Sequence, residues 1–70
     1  MRQPVESDSL ASVGYNPETQ TLEVEFKHGG VYRYYNVPAH EYSELKNAES
    51  PGTHFIENIK AGAYSYIRVN

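Results

Sequence analysis

Between Thr21 and Lys27 polar and apolar residues alternate without a break: Leu22, Val24 and Phe26 fall on one side, Thr21, Glu23, Glu25 and Lys27 on the other. Side chains on a strand alternate between faces, so this stretch predicts a strand with one buried face. His28-Gly29-Gly30 follows, then the strand formers Val31-Tyr32-Arg33-Tyr34-Tyr35, then Asn36-Val37-Pro38. Two such runs joined across glycines form a hairpin, and the loop length decides which side chains are buried. A two-residue turn puts Arg33 on the Val24/Phe26 face. A three-residue loop, Lys27-His28-Gly29 with Gly29 left-handed, instead sets Tyr32 opposite Val24, Tyr34 opposite Leu22 and Arg33 opposite Glu23. Burying an unpaired guanidinium is costly, whereas a cross-strand opposite-charge pair gains roughly 0.2–1 kcal/mol, so the three-residue loop is favoured. Tyr32 and Tyr34 are then predicted mainly in the core, with Tyr35 beside Arg33 on the exposed face.

Core material matters because the chain is short. Seven of its 70 residues are Tyr and two are Phe, with no Trp and no Cys. A domain of this size buries only about 60% of the surface its unfolded chain exposes. Below ~70–80 residues the core rarely supplies more than ~3–5 kcal/mol. The absence of Cys excludes disulfide scaffolds, Cys-bearing zinc ribbons and thiol catalysis. Tyrosine thickening the core is the remaining resource. Residues 1–20 carry no apolar signal-peptide core and no apolar run approaches ~18 residues, so neither a secretory signal nor a membrane helix is expected and the chain reads as cytoplasmic.

Around the hairpin the rest of the fold can be laid out. Residues 1–8 are polar with a Pro and predict a loosely ordered N-terminus, leaving 9–70 as one domain. Leu10 to Tyr15 reads as a first strand, closed by Asn16-Pro17-Glu18-Thr19, which is turn chemistry. After Pro38 the period changes to about 3.6, with Tyr42, Leu45 and Ala48 on the inner face of a helix ending near Glu49. Ser50 as N-cap and Pro51 at the first helical position start a second helix, with Phe55, Ile56 and Ile59 inward and Ala61-Gly62 as its stop. Gly52 so early in a short helix predicts a partly 3₁₀ segment. The tail alternates Tyr64/Tyr66/Arg68 against Ser65/Ile67/Val69 and reads as a fourth strand or an extended arm on the sheet edge. The fold class is α+β: an antiparallel three-stranded meander, two short helices on one face, and that terminal strand.

Ser9-Leu10, Val13-Gly14-Tyr15, Leu22-x-Val24-x-Phe26, the glycine turn, Tyr32-x-Tyr34, Val37-Pro38, Leu45-x-x-Ala48-x-Ser50-x-Gly52-x-x-Phe55 and Ile59 together resemble the KTSC domain. That domain is named for its place at the carboxyl end of some lysyl-tRNA synthetases and also occurs as a free-standing small bacterial protein. The resemblance spans residues 9–68. It implies a fold and an RNA-binding hypothesis, and it carries over no site residue.

Candidate sites therefore come from the residues. The net charge is −3. Residues 1–26 set Arg2 against Glu6, Asp8, Glu18, Glu23 and Glu25, a balance of −4, while residues 27–70 set five basic residues against Glu41, Glu44, Glu49 and Glu57, a balance of +1. Anion binding is expected in the second part, where six of the seven tyrosines lie. Arg33, Tyr35, Lys46, Lys60, Tyr64, Tyr66 and Arg68 are the candidate contacts to RNA or tRNA. That reading requires a contiguous patch holding at least three of Arg33, Lys46, Lys60 and Arg68 beside an exposed ring. Ser50, Gly52 and Thr53 at a helix start form a lesser candidate for a phosphate or carboxylate, although a plain capping segment explains them as simply. The competing reading is a protein partner, or a second copy, docking on an exposed sheet face or edge. Metal binding is not expected, because His28, His40 and His54 are scattered and no H-x-x-x-H or H-E-x-x-H spacing occurs. Neither a cofactor nor catalysis is expected, since no serine has a nucleophile-elbow context.

Overall fold

A computed structural model of the chain describes residues 2–70. Five antiparallel strands lie in sequence order: β1 (Arg2–Pro4), β2 (Leu10–Asn16), β3 (Thr21–Phe26), β4 (Val31–Tyr34) and β5 (Tyr66–Arg68). Between β4 and β5 the chain forms α1 (Ala39–Asn47), α2 (Pro51–His54) and a π-helical segment, Phe55–Lys60, that continues α2. The helices cover one face of the sheet. Leu10, Val13, Leu22, Val24, Tyr34, Val37, Leu45, Phe55 and Ile59 form one buried cluster between the layers.

The hairpin adopts the register that the charge argument favours. Leu22 pairs with Tyr34, Glu23 with Arg33, Val24 with Tyr32, and Glu25 with Val31. Gly29 donates to the Phe26 carbonyl at 3.1 Å and has φ of +114°, so a side chain there would be strained. β5 pairs with β4 in turn, Tyr66 opposite Tyr34 and Arg68 opposite Tyr32, which brings the tail tyrosine onto the covered face.

Two expectations need correction. The polar N-terminus, predicted to be loosely ordered, carries an edge strand: Arg2 pairs with Gly14 and Pro4 with Ser12. Its Arg2 Nε reaches Glu23 at 3.2 Å, past a glycine that has no side chain to intervene. Glu23 is thereby shared between Arg2 and Arg33, whose Nε donates at 2.9 Å. Such exposed pairing leaves no hydrophobic signature in the sequence.

The second correction concerns the helix after Pro51, whose later part is π-helical rather than 3₁₀; Ala61 N–H donates to the Ile56 carbonyl at 3.2 Å. Phe55 and Ile59, four residues apart, both point inward. Ile56, adjacent to Phe55 and so turned well round the axis, is 56% exposed instead of buried. The segment does stop at Ala61-Gly62 as expected, and the left-handed residue of the turn that follows is Ala63, at φ of +61°. Gly62 is required for space, because a Cβ there would come within 2.6 Å of the Asn58 carbonyl oxygen.

Elsewhere the sequence reading holds with small shifts. α1 closes at Asn47 with Ala48 as its cap, and Leu45 is its buried residue. Tyr42 is half-buried and stacks on Tyr15 at 5.1 Å between centroids. The register of β2 against β3 shifts between Leu10 and Ser12, a bulge that places Leu10 opposite Phe26. No helix among the described residues is long and apolar enough to cross a membrane.

Candidate functional site

One row of side chains along the covered face of the sheet does not end under the helices. β3 supplies Phe26, β4 supplies Tyr32 and Tyr34, and β5 supplies Tyr66 and Arg68. The helices stop short of β5, since α2 and its π-helical extension pack over the centre. A groove of about 460 Å³ opens between Phe55, Ile56 and Lys60 on one side and Tyr66 with Tyr64 on the other. Tyr32, Tyr34 and Phe26 form its floor, and His28 and Ser9 stand at one end.

Its aromatic rings are held by one another. Phe55 stands edge-on to Phe26 and to Tyr34, at 5.4 Å in both cases. Tyr34 stacks with Tyr66 at 5.1 Å and 28°, and His28 lies parallel to Phe26 at 5.5 Å. Offset-stacked and edge-to-face pairs are the favoured geometries, each worth about 0.5–1.5 kcal/mol beyond its buried area. Tyr66 nevertheless remains 58% exposed, so the ring face turned away from Tyr34 is open. The Arg68 guanidinium carbon lies 5.9 Å from the centre of the Tyr32 ring, a cation resting on the same floor.

Burial, and after it the neighbouring phenols of Tyr66 and Tyr32, pushes the Tyr34 hydroxyl above its ordinary pKa of 10.0. Tyr64 moves the same way, by burial first and then by Glu41, whose carboxylate accepts its hydroxyl hydrogen at 3.3 Å. The folded state therefore favours the neutral phenols. This stabilisation is fully present below the unfolded value and is lost as pH rises through about 10 toward the folded values. Urea midpoints measured from about pH 9 to 11 are expected to fall, and Tyr34→Phe to make the fall shallower. An unchanged slope in that variant would remove Tyr34 as the cause.

The residues singled out from the sequence separate into groups. Lys60, Tyr64, Tyr66 and Gly52 line the groove, with Arg68 beside it. Arg33 and Tyr35 lie on the opposite face, around a shallow depression shared with Glu23. There Glu23, by hydrogen bond and charge, holds the Arg33 guanidinium above its ordinary value. Lys46 is on α1, its Nζ 4.8 Å over the Tyr42 ring. The contiguous patch of at least three of Arg33, Lys46, Lys60 and Arg68 expected of an RNA binder does not form: Lys60 and Arg68 alone come to the groove, Arg33 lying across the sheet and Lys46 on α1. Ser50 donates its hydroxyl to Thr53 at 2.9 Å and both are exposed, while Gly52 is buried against the Ser9 and Ser7 hydroxyls. The sequence reading did not pick out Phe26, His28, Phe55 and Ile56 as groove residues. Their apolar spacing is that of ordinary core positions, and only the gap between the second helix and β5 makes them a wall.

Comparison with known proteins agrees with this architecture. The model of the KTSC domain matches residues 6–69. An uncharacterized protein of Stutzerimonas stutzeri is 45% identical over 69 residues, covering 99% of this chain and 97% of that protein. A lysine–tRNA ligase of Nostoc is 41% identical over 61 residues, which is 87% of this chain and 11% of the ligase. The crystal structure of a KTSC domain protein from Yersinia pestis superposes with a TM-score of 0.95 at 34% identity, covering 100% of this chain and 97% of that one. A match across nearly the whole length in both sequence and structure settles the relationship, and the chain belongs to the KTSC domain family.

Proposed function

We propose that this domain is a non-enzymatic, cytoplasmic RNA-binding module that holds an unstacked base of single-stranded RNA, such as a tRNA loop or end, in the aromatic groove. The observation that carries the reading is Tyr66: one face stacked on Tyr34, the other open, with Lys60 and Arg68 nearby. Sequence-tolerant single-strand binding combines such stacking platforms with a few cations. Two of the five acidic residues of the first 26 are held away from the groove. Glu23 and Glu25 sit on the other sheet face, where Arg2, Arg33 and the Ser12 hydroxyl engage them. The likeness to part of a protein named lysine–tRNA ligase is in keeping with an RNA ligand.

With two cations in place of the three that the sequence reading asked for, the proposal rests on ring stacking more than on charge, and the salt dependence is shallow. With about −0.7 in logarithmic slope per neutralised phosphate on single strands, Lys60 and Arg68 give about −1.4, or roughly sevenfold weaker binding between 50 and 200 mM salt. Fluorescence anisotropy with a labelled short RNA measures this directly. Absence of binding at the lower salt would end the reading for the isolated domain.

A second reading is favoured by one observation. Ile67 and Val69 are 49% and 38% exposed on or beside edge strand β5, on the face away from the groove. Edge strands with apolar side chains accept a further strand from a partner or a second copy. A concentration-dependent dimer in light scattering that Ile67→Lys abolishes would support it.

A further inference from the structure

Behind the wall of the groove, side chains from two helices converge. Glu41 and Glu44 are three residues apart on α1, and His54 closes α2. One ligand atom from each lies within 4.8 Å of the others. His54 Nε2 is shielded from solvent and has no hydrogen-bond partner. Buried polar atoms in that condition are rare and call for an explanation. Glu41 Oε1 is 3.8 Å from this nitrogen, both side chains being mostly buried. That separation is too long for a hydrogen bond. It is close to the roughly 3.0–3.5 Å between two ligands that share a cation with bonds of about 2.0–2.2 Å. Tyr64 donates to Glu41 Oε2 at 3.3 Å, leaving Oε1 free, and the Asn58 amide nitrogen, 3.3 Å from His54 Nδ1 and donating to the His54 carbonyl at 3.1 Å, fixes the ring with Nε2 toward the carboxylates.

We infer that Glu41, Glu44 and His54 form a site for a first-row divalent cation of the Zn²⁺ type, with water completing the coordination. One imidazole and two carboxylates make a borderline nitrogen and oxygen donor set, which suits Zn²⁺ better than Mg²⁺ or Ca²⁺. The cation takes the place of a proton on Nε2. The ring proton then moves to Nδ1, and the exposed Asn58 side chain, which now donates to the His54 carbonyl, swings away to let water accept it. Such a site cross-links α1 to α2 in a chain that has no disulfide, and small domains commonly depend on a staple of this sort. It also fixes Tyr64, which bridges from Glu41 to the groove wall. The spacing arguments that find metal sites in one helix miss it, because its donors come from two elements.

Calorimetric titration of the whole chain with Zn²⁺ is expected to give saturable binding of one ion per chain below millimolar concentration, through three protein ligands of which Glu44 is exposed. At a hundredfold excess over Kd the thermal midpoint is expected to rise by about 10–20 °C. The ¹⁵N resonance of His54 Nε2 should shift while those of His28 and His40 stay in place. His54→Gln should weaken binding at least tenfold. Glu44→Gln, at an exposed position that folding does not need, should do the same. No binding up to millimolar Zn²⁺, or binding unaffected by both substitutions, would overturn the assignment.

Discussion

Replacing Phe55 with alanine is expected to destabilise the domain by about 3–5 kcal/mol, the usual range for removing a buried Phe. A chain of this length has a total stability on the order of 3–10 kcal/mol, so the variant is expected to sit at the margin of folding. The effect is large for an identifiable reason. Phe55 is 2% exposed and stands edge-on to both Phe26 and Tyr34, so its loss removes two aromatic pairs along with the buried area. It also takes away the helical wall of the groove. The residues around it cannot collapse into the space easily, since Tyr34 is tied by pairing to β3 and β5 and Gly52 is already pressed against Ser9. Phe55→Leu keeps most of the volume but gives up both aromatic pairs, and is expected to cost about 1–3 kcal/mol. Urea denaturation of the two variants gives the comparison, and a loss below 1 kcal/mol in the alanine variant would mean that the helical layer does not depend on this anchor.

Tyr66→Ala is expected to do the opposite, removing function while sparing the fold. The side chain is largely exposed on an edge strand, and its pairing with Tyr34 is worth roughly 0.2–1 kcal/mol. Stacking of a base on the ring is worth about 1–3 kcal/mol, so affinity for a short single-stranded RNA should fall between about fivefold and 150-fold. Tyr66→Phe retains the ring and is expected to retain most of the affinity. Arg33→Ala is the matching control: Arg33 lies across the sheet, its Nε bonded to Glu23, and its loss is expected to leave RNA affinity within about twofold. If Arg33→Ala were the damaging change, the ligand would be on the other face.

The hairpin register was legible because one charge decided it. Arg33 had to find Glu23, and that single pairing carried Tyr32 and Tyr34 into the covered face. The tail strand was legible from its alternation, and helix α1 from its change of period. β1 was not, since Arg2, Gln3 and Pro4 bury nothing and pair through backbone and charge. The π-helical turn was hidden for a different reason. Gly52 argues locally for a tight 3₁₀ start, and the four-residue spacing of Phe55 and Ile59 suits an ordinary α-helix equally well, so no local pattern signals the wider turn. Of the site, the individual residues Lys60, Tyr64, Tyr66 and Arg68 could be named as candidates. Their assembly could not, because nothing in the spacing distinguishes Lys60 at the groove from Lys46 over Tyr42. The groove depends on where the second helix stops relative to β5, and that is a property of packing. The Glu41, Glu44 and His54 cluster was hidden in the same way, by donors drawn from separate helices.

The central claim is that the aromatic groove is the RNA-binding face, and amide-shift mapping of the ¹⁵N-labelled chain against a pool of short single-stranded RNAs at low and high salt tests it most directly. The expected result is shifts confined to Phe26, His28, Tyr32, Ile56, Lys60, Tyr64, Tyr66 and Arg68, diminished at high salt and lost in Tyr66→Ala. Shifts clustered instead on Arg33, Tyr35 and Ile67, or none at low salt, would contradict it.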